Sequence, residues 1–189
     1  MKRLEQADEY PAEIVEHMKQ LGLFGCTIPA EYGGLGLTSL TYARIVARIS
    51  AVWMSISGIV NSHLIMASAV QRHGTEAQRR DLLPRFASGE LRGGVGLTEP
   101  DAGTDLQAIR MRAVRDGDHY LINGSKTWIT NSLYGGCLAL LVKTDPAASP
   151  RHKGMSLFIA EKGPGFIVTR KLKKLGYRGV DTCELVFDN

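Results

Sequence analysis

Hydrophobic residues in the first half of the chain recur every three or four positions, which is the period of an α-helix. One such stripe covers residues 14–21 and ends at Gly22, and a second covers residues 41–52. The next segment, residues 53–72, is apolar almost all round, which is typical of a helix at the centre of a bundle. The pattern therefore predicts a helical N-terminal region.

A further helix is expected over residues 76–87. Thr75 and Gln78 have the spacing of a capping box, in which each side chain accepts a hydrogen bond from the other residue's backbone N–H. Pro84 lacks an N–H group, so it is expected to kink or divide this helix.

The pattern changes after Gly93, where short runs of apolar residues are separated by turn residues. Asp116-Gly117 predicts a hairpin turn between residues 111–114 and 119–122, and Asn123-Gly124 predicts a second turn. The further strands expected are residues 126–130, 138–143, 155–161, 165–170 and 183–187.

A run of helices followed by a run of strands predicts an α+β fold. We expect an N-terminal helical bundle domain over residues 1–92. An antiparallel β-barrel or sandwich-like domain is expected over residues 93–189.

The composition is that of a folded globular protein, with 44% hydrophobic and 22% charged residues. A net charge of +4 is too weak to indicate a nucleic-acid partner. Serines, Asn61 and His63 interrupt the most apolar stretch, residues 53–70, so no membrane span is expected.

The three cysteines form no CxxC pair and the five histidines are scattered. Neither a zinc site, nor another metal site, nor a disulfide framework is therefore expected. The N-terminus lacks the apolar core of a signal peptide. These features predict a reducing compartment, namely the cytoplasm, or the mitochondrial matrix in a eukaryote.

The densest basic run is Arg170-Lys171-Leu172-Lys173-Lys174. The favoured interpretation is a solvated strand end. A site for an anionic ligand such as a pyrophosphate is the alternative.

Residues 96–105 read Gly-Leu-Thr-Glu-Pro-Asp-Ala-Gly-Thr-Asp. Pro100 and Gly103 favour a compact loop, and Gly103 allows the backbone to approach a ligand closely. Thr98 and Thr104 add hydroxyls, and nearby amides can face an anion or a heteroaromatic edge. From the residues alone, a structured turn with self-capping acidic side chains is favoured over a ligand loop.

Residues 125–131 read Ser-Lys-Thr-Trp-Ile-Thr-Asn. On a strand, Trp128 and Thr130 point to the same face because side chains alternate. An indole beside a hydroxyl suits a flat redox ring, which can pack on one and hydrogen-bond the other. A tryptophan on a strand is more often part of the core, so this segment alone leaves both interpretations open.

Taken together and in order, these segments resemble the acyl-CoA dehydrogenase family. The loop of residues 97–105 is similar to that family's flavin loop, with Thr104 where serine is more common. Residues 124–131 are similar to its flavin-strand signature. Flanking matches extend the resemblance over nearly the whole chain, at residues 28–36, 73–78, 83–90, 174–178 and 184–187.

The resemblance implies an FAD enzyme that dehydrogenates an acyl-CoA between Cα and Cβ. It also implies an electron-transfer flavoprotein or a similar protein as the electron acceptor. The implied cofactor-binding residues are Leu97, Thr98, Gly103, Thr104, Trp128, Ile129 and Thr130.

The same resemblance implies a role for several of these residues. The backbone around Leu97 and Thr98 is expected to meet the pyrimidine side of the flavin. Trp128 is expected to pack against the ring, with Thr130 near N5. Thr104 is expected near the flavin phosphates or near the thioester arm of CoA, which makes it the implied substrate contact.

Family members carry a catalytic glutamate in a C-terminal four-helix domain, and no residue of this chain aligns with it. We expect that domain to be absent and assign no catalytic residue, because Glu99 belongs to the loop itself. The chain alone is therefore expected to be inactive. An oligomer, or a partner chain that supplies the missing domain, is expected.

Three hypotheses follow. The chain is a portion of a flavin dehydrogenase that is competent when completed, a non-catalytic module that binds flavin or acyl-CoA, or a structural subunit that binds no flavin. The motifs leave open the acyl group, and they leave open an oxidase-like use of oxygen.

Overall fold

The computed structural model of the protein describes residues 2–189, and it describes the backbone alone at Lys2, Leu4 and Glu5. The α-helices are α1 Lys2–Ala7, α2 Ala12–Gln20, α3 Ser39–His73 and α4 Glu76–Ala87. The strands are β1 Gly93–Gly96, β2 Arg112–Asp116, β3 His119–Thr130, β4 Cys137–Lys143, β5 Met155–Glu161, β6 Phe166–Lys171 and β7 Thr182–Phe187. The predicted α+β fold is confirmed, with helices first and strands after them.

The long helix α3 consists of two helical segments that meet at Trp53. The backbone there is extended, with φ −159° and ψ 104°. This break coincides with the predicted change from a striped to an all-round apolar segment. The second segment is the buried one, with Ile59 and Met66 at its most enclosed positions.

By length and composition, α3 could cross a membrane. A helix at the core of a water-soluble protein meets the same criterion, because it too is long and apolar. The buried second half of α3 packs against β1 and α4, which is the position predicted for a central bundle helix.

The capping box at the start of α4 is formed as predicted. The Thr75 hydroxyl accepts from the Gln78 N–H (3.2 Å), and the Gln78 side chain accepts from the Thr75 N–H (2.8 Å). Pro84 does not divide this helix, which continues to Ala87. A proline costs a helix one hydrogen bond, and here the burial of Leu83 and Phe86 holds the last turns together.

The strands form a mixed sheet in the order β1-β4-β2-β3-β7-β6, with β5 on the other edge of β4. Most pairs are antiparallel, as predicted, but β1 and β2 run parallel to β4. The predicted turn at Asn123-Gly124 is wrong, because β3 continues through it. A Cβ on Gly124 would lie 2.9 Å from the Met111 side chain, so glycine serves here for close packing within the sheet.

The helices and the sheet share one buried histidine. His63 is 0% exposed; its Nε2 lies 3.0 Å from the Phe86 carbonyl oxygen, and its Nδ1 accepts from the Gly93 N–H at 3.3 Å. Burial lowers the pKa of His63 to about 4. A neutral imidazole with a proton on Nε2 therefore joins α3, α4 and β1.

The segment between β6 and β7 packs on the bend of α3. A Cβ on Gly58 would collide with the Tyr177 hydroxyl, and a Cβ on Gly179 would collide with the Trp53 indole. Two aromatic side chains therefore lie directly on glycine backbone at this junction, where no larger residue fits.

All three cysteines are free and buried. Cys26 lies in the helical region, Cys137 on β4 and Cys183 on β7. Burial raises the pKa of each thiol, and that of Cys137 rises to about 12. The thiols are therefore protonated in the folded protein at neutral pH.

Candidate functional site

The predicted flavin strand contains a β-bulge at its tryptophan. Lys126 pairs with Leu185 and Ile129 pairs with Cys183, so β3 has one more residue than β7 over this stretch. Trp128 has a positive φ of 60°, which is rare for a bulky side chain. The bulge leaves Trp128 60% exposed while its neighbour Ile129 is 2% exposed.

The predicted flavin loop lies directly beside this bulge. The Thr127 N–H donates to the Thr98 carbonyl oxygen at 2.9 Å. Within the loop, Glu99 and Ala102 exchange backbone hydrogen bonds of 2.8 and 3.2 Å. The structure therefore brings Thr98 next to the strand that carries Trp128.

A buried ion pair joins the loop to the strand. Lys126 is 1% exposed, and its ammonium group donates to the Glu99 carboxylate and to the Leu97 carbonyl oxygen, both at 2.9 Å. The carboxylate also accepts from the N–H groups of Arg110 (2.6 Å) and Met111 (3.1 Å). Burial lowers the pKa of Lys126, and the hydrogen bond and charge of Glu99 oppose that shift.

The roles of Lys126 and Glu99 were not predicted from the sequence. A partial signal was present, because the strand motif contains one basic residue, Lys126, and the loop motif contains three acidic ones, Glu99, Asp101 and Asp105. Neither motif alone shows that the two meet, since 27 residues separate them.

Thr130 is fixed at the end of β3 by close backbone packing. A Cβ on Gly94 of β1 would collide with the Thr130 carbonyl oxygen, so the two backbones approach as only glycine allows. The buried Asn131 side chain then donates to the carbonyl oxygens of Ile59 (2.8 Å) and Gly93 (3.0 Å). These contacts hold Thr130 in place relative to α3 and β1.

Gly103 and Thr104 lie at the exposed side of the loop. A Cβ on Gly103 would meet the Thr98 methyl group at 3.8 Å, which places this glycine beside Thr98. Within residues 2–189, Thr104 forms no hydrogen bond with Trp128 or Thr130. The role of Thr104 stays a prediction.

The acidic residues of the loop support its own structure. Glu99 is held in the buried ion pair, Asp101 lies 3.4 Å from the Arg110 guanidinium, and Asp105 accepts from the Gln107 N–H at 3.1 Å. Because both oxygens of Glu99 are occupied, this carboxylate is not available as a general base.

Three of the four basic residues in the run Arg170-Lys171-Leu172-Lys173-Lys174 make contacts within the chain. Arg170 forms a two-pronged ion pair with Glu184 (2.7 and 3.0 Å), and Lys171 lies 3.1 Å from the Asp8 carboxylate. Lys174 donates to the Val180 carbonyl oxygen at 2.7 Å. These contacts favour the strand-end interpretation over an anion site.

The arrangement suits a flat heteroaromatic ligand. The exposed indole of Trp128 offers a packing surface, and the half-buried Thr130 lies on the same strand. No hydrogen bond recorded within residues 2–189 uses the hydroxyls of Thr98 or Thr130. Ile129 turns its side chain into the core, so any contact with a ligand would come from its backbone.

Comparison with known proteins covers both halves of the chain. The sequence model of the acyl-CoA dehydrogenase N-terminal domain matches residues 1–90, and that of the middle domain matches residues 94–189. A mitochondrial isovaleryl-CoA dehydrogenase of Pongo abelii is 39% identical over 94% of this chain and 42% of its own length. A short-chain acyl-CoA dehydrogenase of Clostridium acetobutylicum is 40% identical over 98% of this chain and 49% of its own.

Solved structures also match this chain over nearly its whole length. An acyl-CoA dehydrogenase from Geobacillus kaustophilus superposes with a TM-score of 0.92 at 36% identity, over 100% of this chain and 50% of that one. A glutaryl-CoA dehydrogenase from Mycobacterium smegmatis in complex with FADH2 gives a TM-score of 0.87 at 31% identity, over 97% and 46%. A structure described as an electron transferring flavoprotein of Acidaminococcus fermentans gives a TM-score of 0.93 at 35% identity. That match covers 98% of this chain and 49% of the other chain.

The chain thus spans about half the length of the relatives it matches. The two domain models together match all but residues 91–93, and both predicted flavin motifs fall within the middle-domain match. The chain belongs to the acyl-CoA dehydrogenase family.

Proposed function

We propose that this chain forms the FAD-binding part of an enzyme that dehydrogenates an acyl-CoA between Cα and Cβ. The observation that carries the proposal is the Trp128 surface, held beside the Leu97–Thr98 loop by the buried Lys126–Glu99 pair. The relatives named as acyl-CoA dehydrogenases and the FADH2 complex support it.

A bound flavin would supply the hydride acceptor. In this assignment Trp128 packs against the flavin ring, which excludes water from one of its faces. The Thr130 hydroxyl donates to a ring nitrogen, and the backbone at Leu97 and Thr98 meets the pyrimidine side. Hydrogen bonds at that side stabilise negative charge on the reduced ring.

Gly103 and Thr104 are assigned to the phosphates of FAD, with Thr104 also in reach of the thioester arm of the substrate. The exposed position of both residues supports this assignment, because a phosphate chain needs an open approach to the backbone. The electron acceptor we propose is an electron-transfer flavoprotein or a similar protein.

The proton at Cα must go to a base that is not Glu99, because both oxygens of that carboxylate are occupied. We propose that a second structural unit provides the base opposite the Trp128 surface, in the same polypeptide or in a partner subunit. The cytoplasm, or the mitochondrial matrix in a eukaryote, stays the expected compartment.

Titration with FAD tests the proposal. The purified 189-residue chain should retain FAD through gel filtration and should shift its visible absorption bands. A chain that binds neither FAD nor acyl-CoA would contradict the proposal and favour a structural subunit. Binding of acyl-CoA without FAD would favour a non-catalytic acyl-CoA module.

A further inference from the structure

We infer that the buried Lys126–Glu99 pair is the positioning device that fixes Trp128 and the Leu97–Thr98 backbone in the relative placement that a flavin ring requires. The inference rests on the proposed function for its ligand. The placement of Trp128 itself can be measured without FAD.

The pair connects three segments that are separate in sequence. Lys126 belongs to β3 and Glu99 to the loop after β1, and the two N–H groups on the carboxylate come from Arg110 and Met111, just before β2. Lys126 also holds the Leu97 carbonyl oxygen. Breaking the pair therefore leaves the Thr127–Thr98 hydrogen bond as the remaining polar link between the loop and β3 in the described part of the chain.

Trp128 depends on its surroundings for its conformation. A left-handed backbone at a bulky residue is unfavourable, and it persists where neighbouring contacts determine it. On one side of Trp128 those contacts are the Lys126 ion pair and the Thr127–Thr98 hydrogen bond. On the other side they are the burial of Ile129 in the sheet core.

Stability alone does not account for a charged pair at this place. Well-packed apolar residues stabilise a core as well as a buried ion pair does. What the pair adds is a defined geometry, because its hydrogen bonds to the Leu97 carbonyl oxygen and from the Arg110 and Met111 N–H groups fix backbone groups of the loop and of the segment just before β2. That is the property required of a contact that supports a binding surface.

The first experiment measures Trp128 without FAD. The chain has two tryptophans, and Trp53 is 8% exposed, so iodide quenching reports mainly on Trp128. We expect Lys126→Met and Glu99→Gln to change the iodide quenching constant about twofold or more while the far-ultraviolet circular dichroism is retained, because aromatic placement depends on neighbouring contacts.

The matched control is Glu161→Gln, which removes the two-pronged ion pair between Arg85 on α4 and Glu161 on β5 (3.0 and 3.2 Å). It should leave the quenching constant unchanged. Folded Lys126→Met and Glu99→Gln variants whose quenching matches the unsubstituted protein would overturn the inference. If Lys126→Met fails to fold, Glu99→Gln, which keeps an oxygen acceptor for the backbone N–H groups, decides it.

The second experiment adds FAD. Lys126→Met should weaken FAD binding about two- to tenfold and alter the visible spectrum of the bound flavin, although Trp128 is present. Equal affinity and an identical spectrum in the variant would contradict the role in flavin placement. If the unsubstituted chain binds no FAD, the proposed function fails, and the quenching experiment still decides whether the pair positions Trp128.

Discussion

At the scale of single residues, the side chains at and near the candidate site are of two kinds, buried with partners or open to solvent. Lys126, Glu99 and His63 are buried and hydrogen-bonded, whereas Trp128 is exposed and Thr130 is half-buried. Buried polar groups need partners to offset lost hydration. Groups that stay open on an ordered strand are the ones a ligand can use.

The two open side chains should affect FAD differently. Trp128→Ala removes packing area, so it should lower the affinity for FAD about two- to tenfold. Less flavin should then stay with the protein on gel filtration. Thr130→Val removes one hydrogen bond of about 1 kcal/mol, so it should shift the flavin reduction potential with a smaller loss of affinity. Unchanged flavin content and potential in both variants would remove these residues from the site.

His63 should make folding stability depend on pH. The unfolded imidazole takes up a proton near pH 6.5, whereas the folded one does so near 4. The unfolded state therefore binds more protons between these values, and stability is lost as pH falls through that window, by at most about 1.4 kcal/mol per pH unit.

Urea unfolding at pH 7, 6 and 5 measures this effect. The glutamine of the His63→Gln variant cannot titrate, so the free energy of unfolding of this variant should fall less steeply with acid than that of the unsubstituted protein. The two slopes against pH should differ by the amount that about one bound proton contributes. Carboxylates contribute equally to both proteins, which is why the difference between the two slopes is informative. Parallel slopes would show that His63 is not held neutral.

At the scale of elements, glycine sets the distance between β1 and the strands beside it. Gly93 and Gly94 have no room for a Cβ, because the carbonyl oxygens of Cys137 and Thr130 occupy that space. This close approach brings the loop of residues 97–105, which follows β1, to the bulge of β3. The position of the loop is therefore a consequence of backbone contacts as well as of the buried ion pair.

Gly94→Ala tests that contact. The added methyl group collides with backbone, which cannot move aside as a side chain can, so the free energy of unfolding should fall by about 1–3 kcal/mol or more. Gly163→Ala is the control, because a Cβ there meets nothing within 4 Å. Chemical denaturation of both variants gives the comparison, and equal stabilities would contradict the packing described for β1.

At the scale of the whole molecule, the chain exposes Trp128 beside the loop of residues 97–105 and holds Glu99, the one glutamate of that loop, in an ion pair. Mixed with FAD, acyl-CoAs of several lengths and a dye acceptor, the 189-residue polypeptide should reduce the dye slowly or not at all. General-base catalysis contributes about 10²–10⁴ in rate, and an oxyanion donor about 10²–10³. Rapid dye reduction by this polypeptide would show that one of its own carboxylates acts as the base.

A structural feature can be predicted from the sequence when residues close together in the chain cause it, and not when distant residues do. The change of hydrophobic pattern at residue 53 was visible in the sequence, though the extended backbone of Trp53 was not, and the α4 capping box follows from two residues three positions apart. The continuity of β3 through Gly124 was not predictable, because the reason is a contact with Met111. Likewise the bulge at Trp128 depends on the register with β7, which no short motif contains.

The three buried thiols provide the protein with internal reporters of local opening. A thiol that is enclosed and protonated does not react with an alkylating agent until its surroundings open, since the thiolate is the nucleophile. Cys26 reports on the helical region, Cys137 on β4 and Cys183 on β7. Timed alkylation followed by mass spectrometry should therefore show whether the helices and the sheet open together or in sequence, and equal, immediate labelling of all three thiols would contradict their burial.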